Sequence, residues 1–240
     1  MQKITAFLQK LTTSPNPAVA TWRGAELPFA VYEISHQDTP FNLVAMEVLQ
    51  WAPIWMTQAE RLLLYTLIFG LRPARYLEIG TLKGGSALIV MAAMDALKTS
   101  GRIVCVDPQP QIAPEHWSKL EHRATLIPGF SPDVLPRAQE AAGGPFHFVL
   151  IDGDHSHEGA LRDANGVLPF VADGAYLLFH DSFFVEVMRA IDDFVAQHLD
   201  QVVDFGSLTR EVSVMTQSNG SPERWGGLRL LQVRRGVKPR

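Results

Sequence analysis

The sequence predicts a doubly wound α/β fold, with a mostly parallel sheet and helices on both of its faces. From residue 75 onward, short apolar runs alternate with stretches that have helical spacing. The apolar runs are continuous, which is typical of strands that are buried on both faces of a parallel sheet. After the last helical stretch, residues 202–233 read as a closing antiparallel hairpin with a polar loop.

The helix that precedes the sheet is the clearest single element. In the stretch TQAERLLLYTLIFGLRP, Thr57 and Glu60 have the spacing of a capping box, and Gly70 and Pro73 indicate the end of the helix. The predicted strands cover residues 75–80, 102–107, 124–129, 146–153 and 175–182. The predicted helices between and after them cover about 84–98, 114–122, 131–142, 157–171 and 184–198.

Residues 1–56 are predicted to be an N-terminal extension, because several prolines interrupt any long element there. Its first residues lack the continuous apolar core of a targeting segment and read instead as a short amphipathic helix. The apolar face of this helix would carry Ile4, Phe7, Leu8 and Leu11. The sequence leaves open whether the extension is a lid over a substrate or a contact in a homo-oligomer.

Composition and charge exclude several classes of protein. The net charge is −4 and no stripe of lysine and arginine is present, so we expect no nucleic-acid partner. No apolar stretch approaches the roughly 18 residues of a membrane span, so we expect no membrane association and a cytoplasmic location. Cys105 is the single cysteine and lies in an apolar run, which predicts an inert buried thiol and no internal disulfide.

A glycine-rich loop, in YLEIGTLKGGS, follows the first predicted strand and opens a helix. Gly80, Gly84 and Gly85 allow the backbone to turn tightly and to approach a ligand closely. The nicotinamide fingerprint would require a glycine where Leu82 stands. The pattern of an acid, Glu78, followed by these glycines resembles motif I of class I S-adenosylmethionine (SAM)-dependent methyltransferases.

This resemblance covers residues 57–182 and implies a Rossmann-like, seven-stranded sheet, with residues 57–240 forming the SAM-binding methyltransferase domain. It implies that Glu78 lies near the amino-acid portion of SAM and that Asp107, at the end of the second strand, holds the ribose hydroxyls. A carboxylate can pair with the ammonium group of SAM, whereas it would repel a pyrophosphate. The resemblance assigns the glycine loop and the adenine site to Gly80, Gly84, Gly85, Ser86, Gly129, Phe130 and Ser131.

Acids and histidines are crowded at the ends of the fourth and fifth strands, in IDGDHSHEG and FHD. Asp152 and Asp181 end strands that can be neighbours in a parallel sheet, so their side chains are expected to converge. Unpaired like charges would be costly there, and a divalent cation would relieve the repulsion. Oxygen donors with one imidazole suit Mg²⁺ or Mn²⁺ better than a structural zinc.

The same residues are similar to those of the macrocin- and novobiocin-type O-methyltransferases. The resemblance implies that Asp152 and Asp181 are metal ligands, that Asp152 also lies at the cofactor, and that Asp154 is the catalytic base. His180 stands where those enzymes have an acid, so it is either a third ligand or a hydrogen-bonding neighbour of the ligands. His155 is a second candidate for the base, because its ordinary pKa lies near neutrality.

Each of these residues also has an alternative interpretation that the sequence does not exclude. Asp152 can contact SAM without a metal, and Asp154 can simply cap the following helix. His157 and Glu158 are expected to form only the solvated first turn of that helix.

The sequence therefore predicts a SAM-dependent O-methyltransferase, assisted by Mg²⁺ or Mn²⁺, that acts on a small hydroxylated molecule of the sugar or natural-product type. The alternatives are a metal-independent SAM methyltransferase and a SAM-binding scaffold without catalysis. A nicotinamide oxidoreductase is a more distant alternative, since Leu82 stands where the nicotinamide fingerprint requires a glycine.

Overall fold

A computed structural model describes residues 43–216 and 220–235, together with four two-residue strands nearer the N-terminus. The chain divides into two compact units, Met1–Leu43 and Val44–Arg240. The predicted helix at the N-terminus lies outside the described residues, and the predicted division after residue 56 stays a prediction. In the first unit the short strands pair antiparallel, Pro17–Ala18 with Val31–Tyr32 and Thr21–Trp22 with Ala25–Glu26.

The second unit alternates strands and helices along the chain. Its strands are β1 (Arg75–Ile79), β2 (Arg102–Asp107), β3 (Ala124–Pro128), β4 (Phe146–Ile151), β5 (Val171–Phe179), β6 (Val202–Ser207), β7 (Ser213–Thr216), β8 (Pro222–Trp225) and β9 (Arg229–Val233). Its α-helices are α1 (Val48–Trp51), α2 (Gln58–Leu71), α3 (Gly85–Ala96), α4 (Pro114–Leu120), α5 (Leu135–Ala142), α6 (His157–Val167) and α7 (Val185–Gln197). Two 3₁₀ turns, Leu43–Met46 and Leu168–Phe170, complete the described elements.

Seven strands form one sheet in the order β6-β9-β5-β4-β1-β2-β3. The strands from β1 to β5 pair in parallel, and β9 runs antiparallel between β5 and β6. Apolar residues on both faces of the sheet are buried against helices. The predicted Rossmann-like fold with a mostly parallel seven-stranded sheet and a closing antiparallel pair is therefore confirmed.

Some boundaries differ from the prediction for local reasons. The helix predicted over 157–171 ends at Val167, because Pro169 interrupts it and a 3₁₀ turn follows. Strand β5 then begins at Val171, which pairs with Phe146, earlier than the predicted residue 175. The closing hairpin has the predicted extent, but the segment expected to be a polar loop contains a second hairpin, formed by β7 and β8, between β6 and β9.

The capping box at the start of α2 is present as predicted. The Thr57 side chain accepts a hydrogen bond from the Glu60 backbone N–H, and the Thr57 N–H donates to Glu60 Oε2 at 2.7 Å. The Arg61 guanidinium then binds the backbone carbonyls of Ile54 and Met56, at 2.7 and 2.9 Å. These contacts fix the segment before α2 against the helix.

Two further predictions concern the single cysteine and membrane spans. Cys105 is fully buried in β2, and burial raises the pKa of its thiol well above the usual value. Within residues 43–216 and 220–235, none of the helices is both long enough and apolar enough to cross a membrane.

Candidate active site

A cavity of about 650 Å³ lies at the carboxyl ends of the central strands. Strand β1 has β2 on one side and β4 on the other, so the chain reverses its winding direction there, and ligands of such sheets bind beyond this point. Most of the predicted site residues line this cavity: Gly80, Gly85, Ser86, Asp107, Gly129, Phe130, Ser131, Asp152, Asp154, His155, His180 and Asp181. The remaining two, Glu78 and Gly84, are close to it in the chain but are not part of the lining.

The glycine loop between β1 and α3 is held tightly against the end of β4. Gly80 has φ +89°, and a Cβ atom there would lie 1.9 Å from the backbone oxygen of Asp152. A Cβ atom on Gly85 would lie 2.7 Å from the carbonyl oxygen of Pro53. Gly84 has φ +75° and is the N-cap of α3. Glycine is therefore required at these positions for backbone geometry and close approach.

Asp107, at the end of β2, ties two loops together. Its Oδ2 accepts a hydrogen bond from the Leu82 N–H at 2.7 Å, and its Oδ1 accepts one from the Gln109 N–H at 2.7 Å. Each carboxylate oxygen retains a further lone pair. Asp107 is thus fixed in orientation at the cavity wall and can still accept hydrogen bonds from a ligand.

Glu78 lies in β1, directly before the glycine loop. It has no exposed surface, and it accepts a hydrogen bond from the Tyr76 hydroxyl at 3.1 Å. Burial raises the pKa of its carboxyl to about 7. Glu78 therefore lies beneath the glycine loop, and its predicted proximity to the amino-acid portion of SAM stays a prediction.

The acids and histidines at the ends of β4 and β5 form one cluster, which we call the acid–histidine cluster (Glu60, Asp152, His155, His180 and Asp181). His155 Nε2 lies 2.9 Å from Asp181 Oδ2 and 3.6 Å from Asp152 Oδ1. His180 Nδ1 lies 3.1 Å from Asp152 Oδ1 and 3.2 Å from Asp181 Oδ2. The two carboxylates at the strand ends are therefore each shared by the two imidazoles.

Glu60 is the member of the acid–histidine cluster that sequence reasoning did not find. It is fully buried, and its Oε2 lies 3.6 Å from His180 Nε2. The spacing to Thr57 already explained Glu60 as a helix cap, so no signal in the sequence pointed to a second role. The carboxylate comes from α2 and approaches His180 from the side opposite Asp152.

The electrostatics of the cluster favour two imidazolium groups among three carboxylates. Burial by itself would lower the pKa of His180, but Asp152, Asp181 and Glu60 raise it well above the usual value. Burial likewise opposes the charge of His155, yet the nearby Asp152 carboxylate and the hydrogen bond to Asp181 raise the pKa of His155 to about 9. For Asp152, Asp181 and Glu60, burial would raise the pKa, and the histidines lower it overall.

The cluster should make stability fall with rising pH, because His155 binds its proton more tightly in the folded chain. Its contribution is complete below its ordinary pKa of 6.5 and is lost as the pH rises through about 9. Urea unfolding across this range is expected to show a declining free energy of unfolding, with a smaller slope in His155→Gln. Part of the decline in the free energy of unfolding should remain in His155→Gln, because the pKa of His180 is also raised in the folded chain. An exposed control, His122→Gln, should retain the full slope, and an equal slope in His155→Gln would contradict this assignment.

Three side chains of the cluster could hold a metal ion. Asp152, His155 and Asp181 each offer a donor atom, and these atoms all lie within 4.8 Å of one another. His180, the third predicted ligand, faces the same two carboxylates from a more buried position. The His155 ring packs against Trp225 of β8 in a T-shaped arrangement, with ring centroids 5.4 Å apart, so the hairpin borders the site.

Asp154 and His157 lie at the edge of the site. Asp154 Oδ1 accepts a hydrogen bond from the Ser156 N–H at 2.9 Å, and this contact lowers the pKa of Asp154. The N-cap of α6 is Ser156, whose hydroxyl accepts from the Gly159 N–H. His157 opens α6 as predicted and pairs with Asp193 at 2.8 Å. Asp154 lines the cavity, but its ionised form is stabilised, which makes it a weak proton acceptor.

The cavity has further walls formed by residues that do not lie at the strand ends. Residues 52–55 line it next to Gly85, and Trp55 is 80% exposed there. Arg162 and Asp163 of α6 also line it, on the side of β4 and β3. None of these residues stands at the carboxyl end of a strand, which is the place that the sequence motifs describe.

Part of the sequence, including the strands that border the cavity, matches known proteins. Residues 77–182 match the family model described as Methyltransferase domain. A curated relative, an uncharacterized protein of Acanthamoeba polyphaga mimivirus, is 27% identical over an alignment of 139 positions, and the match covers 50% of this chain and 59% of the relative. The chain therefore matches less than two thirds of that relative's length.

Two solved structures share the fold. The O-methyltransferase TomG from Streptomyces achromogenes, involved in tomaymycin synthesis and in complex with SAM, has a TM-score of 0.57 at 17% identity, over 82% of this chain and 92% of that chain. The O-methyltransferase from Bacillus cereus in complex with SAH has a TM-score of 0.54 at 18% identity, over 81% of this chain and 92% of that chain. The family match thus covers the central strands β1 to β5, and the two solved structures show that the fold is shared.

Proposed function

We propose that this protein transfers a methyl group from SAM to a hydroxyl group of a small molecule. The observation that carries the proposal is the position of the acid–histidine cluster. Four of its five residues, Asp152, His155, His180 and Asp181, line the cavity that the glycine loop and Asp107 also line. A site for a methyl donor and a site for removing a proton from an acceptor are thus adjacent, as an in-line displacement requires.

The residues of the cavity fit SAM. Its volume, about 650 Å³, lies within the range of small-molecule pockets. The glycine loop lets a ligand approach the backbone, and Asp107 has lone pairs for a vicinal diol. SAM supplies a methyl group that is already activated on its sulfonium, so the protein has to align the acceptor and accept its proton.

A divalent cation at Asp152, His155 and Asp181 is part of this proposal. Two carboxylate oxygens and one imidazole nitrogen fit Mg²⁺ or Mn²⁺, the nitrogen favouring Mn²⁺. Such a cation lowers the pKa of an acceptor hydroxyl and orients it. His155 can ligate only after losing its proton, so metal affinity should increase with pH. His180 lies beneath this site, where its positive charge holds the carboxylates of Asp152 and Asp181 together.

A second candidate is metal-independent transfer with His155 as the base. The contact of His155 Nε2 with Asp181 Oδ2 at 2.9 Å favours it, because this pair orients the imidazole towards the cavity without a metal. In that case only the neutral imidazole is active, so kcat/KM should rise with pH up to about 9, where His155 loses its proton.

Calorimetric titration with SAM and with NAD tests the proposed cofactor. We expect SAM to bind with or without Mg²⁺, because the glycine loop and Asp107 do not depend on a cation. NAD should bind weakly or not at all, since the loop lacks the nicotinamide fingerprint. Tight binding of NAD without binding of SAM would overturn the proposal.

Chelation separates the two candidates once an acceptor has been found by screening hydroxylated sugars and phenols. Excess chelator is expected to reduce turnover by about 10²-fold or more, because the acceptor hydroxyl loses its activating cation. SAM affinity should change little. Full turnover in chelator, with the pH profile described for His155, would instead establish the metal-independent reaction. SAM binding without transfer to any acceptor would favour a scaffold.

A further inference from the structure

Lys83 and Trp55 form an exposed pair on the cavity wall that the proposed reaction does not use. Both residues line the cavity, and Trp55 is 80% exposed. The Lys83 ammonium lies over the indole of Trp55, with Nζ 5.3 Å from the ring centroid. A cation over an exposed aromatic ring is held weakly compared with a charge-assisted hydrogen bond to a carboxylate. The ammonium is therefore available to an anionic ligand.

Lys83 differs in this respect from Arg162, which also lines the cavity. The Arg162 guanidinium already has two carboxylates beside it, with Nη2 3.7 Å from Asp154 Oδ2 and Nε 3.8 Å from Asp163 Oδ1. Within the described part of the chain, the Lys83 ammonium takes part in no ion pair of 4.0 Å or less. An unpaired positive charge on a cavity wall favours a ligand that brings the opposite charge to that place.

The backbone on both sides of Trp55 is held in place, although its side chain is exposed. The Arg61 guanidinium donates hydrogen bonds to the carbonyls of Ile54 and Met56, at 2.7 and 2.9 Å. The Ile54 side chain also packs closely on α3, since a Cβ atom on Gly85 would lie 2.7 Å from Ile54 Cβ. An aromatic side chain presented by a fixed backbone can bury a large area against a ligand at a small cost in conformational entropy.

The position of the pair favours the acceptor as its ligand. The segment before Trp55 covers Gly85 of the glycine loop, where the proposed methyl donor binds. Two residues after Trp55 begins the cap of α2, the helix whose Glu60 faces His180 of the acid–histidine cluster. This wall therefore runs from the donor loop to the cluster. Since the reacting hydroxyl has to face the cluster, the remainder of the acceptor is expected to extend along the wall to Lys83.

We propose that the acceptor is an acid, a hydroxylated ring whose carboxylate is bound by Lys83 and whose ring packs on Trp55. The inference rests on the proposed function and narrows its substrate class. The carboxylate draws the ammonium away from the indole, and the uncovered face of the indole then contacts the ring. A single free ammonium matches the single charge of a carboxylate. The ring belongs to an aromatic acid or to a sugar acid, since an indole packs on either.

Two matched pairs of probes test the inference by calorimetric titration of the protein saturated with S-adenosylhomocysteine, in a buffer that contains Mg²⁺. One pair is protocatechuate and its amide, and the other is glucuronate and its amide, so the members of a pair differ mainly in charge. The acid of one pair is expected to bind about 10-fold more tightly than its amide at low ionic strength. This preference should weaken in high salt. The pair that shows it identifies the ring as aromatic or as a sugar.

Variants assign the preference to the two residues. Lys83→Met should remove the preference for the acid, whereas Lys83→Arg, which keeps the charge, should retain most of it. Trp55→Ala should weaken the acid and the amide equally, because contact with the ring does not depend on charge. The matched control is Lys119 with Trp51, in which Nζ lies 5.0 Å from the ring centroid but neither residue lines the cavity. Lys119→Met and Trp51→Ala should bind every probe as the wild type does.

The outcomes separate this inference from the proposed function. Absence of any preference for an acid in the wild type, or an undiminished preference in Lys83→Met, overturns the inference and leaves the proposed function intact. Weaker SAM binding in Lys83→Met with an unchanged preference assigns the ammonium to the carboxylate of the methyl donor, which also overturns the inference. Failure of the wild-type protein to bind SAM and S-adenosylhomocysteine overturns the proposed function, and the inference with it.

Discussion

Replacing Asp152 or Asp181 with alanine is expected to lower kcat/KM for methyl transfer by about 10²–10⁴-fold. Asp152 Oδ1 lies 3.1 Å from His180 Nδ1, and Asp181 Oδ2 lies 2.9 Å from His155 Nε2. Each substitution removes a donor from the group that could hold a cation. Each also removes a carboxylate that fixes the His155 imidazole. The loss is therefore expected whether or not a metal takes part in the reaction.

The matched control for these variants is His157→Ala. His157 lies in the same stretch of sequence, but it pairs with Asp193 at 2.8 Å and does not line the cavity. Steady-state kinetics with SAM and the identified acceptor give the comparison, and titration with SAM shows whether the cofactor site is retained. Wild-type kcat/KM in Asp152→Ala and Asp181→Ala would remove the acid–histidine cluster from the mechanism.

Replacing His180 with alanine is expected to reduce the free energy of unfolding by about 3–5 kcal/mol, the usual cost of removing one partner from a buried ionic group. The imidazolium lies among Asp152, Asp181 and Glu60. Without it, three carboxylates face one another at a buried position with only His155 to compensate. Urea unfolding at pH 7 measures the loss.

The pH dependence of this loss distinguishes charge from simple packing. The carboxylates have lowered pKa values in the folded chain, so their stabilisation is present above the ordinary values and is lost as the pH falls. The penalty in His180→Ala should therefore shrink towards pH 4, whereas a packing defect would not. The exposed His122→Ala should stay within about 0.5 kcal/mol of the wild type. A fully stable His180→Ala at pH 7 would show that the ionic group contributes little.

Much of the site could be predicted because its residues follow strands directly in the sequence. Asp107, Asp152 and Asp181 each stand at or just beyond the carboxyl end of a parallel strand. Since these ends meet at one edge of a sheet, a correct strand assignment already brings the three carboxylates together. The capping box at Thr57 and the glycine turn at Gly80 were equally local, and both are present.

The remaining features depend on which way a side chain points, and local patterns do not specify that. His155 and His180 are both histidines beside an aspartate, but His155 reaches the cavity surface while His180 turns inward towards Glu60. Asp163 has the spacing of an ordinary helix residue, and its burial follows only from the packing of α6 on two loops. Long-range packing therefore decided the charge balance of the site.

The capping box of α2 has a consequence for the cooperativity of folding. Glu60 Oε2 completes the cap with Thr57, while Glu60 Oε1 accepts a hydrogen bond from the Gly227 N–H at 2.5 Å, 167 positions away in the chain. A helix cap is ordinarily satisfied by its nearest neighbours. Here the same carboxylate joins the first turn of α2 to the loop that leads into β9. We therefore expect fraying of the first turn of α2 and release of β9 to be coupled, because each would break a hydrogen bond of the same carboxylate.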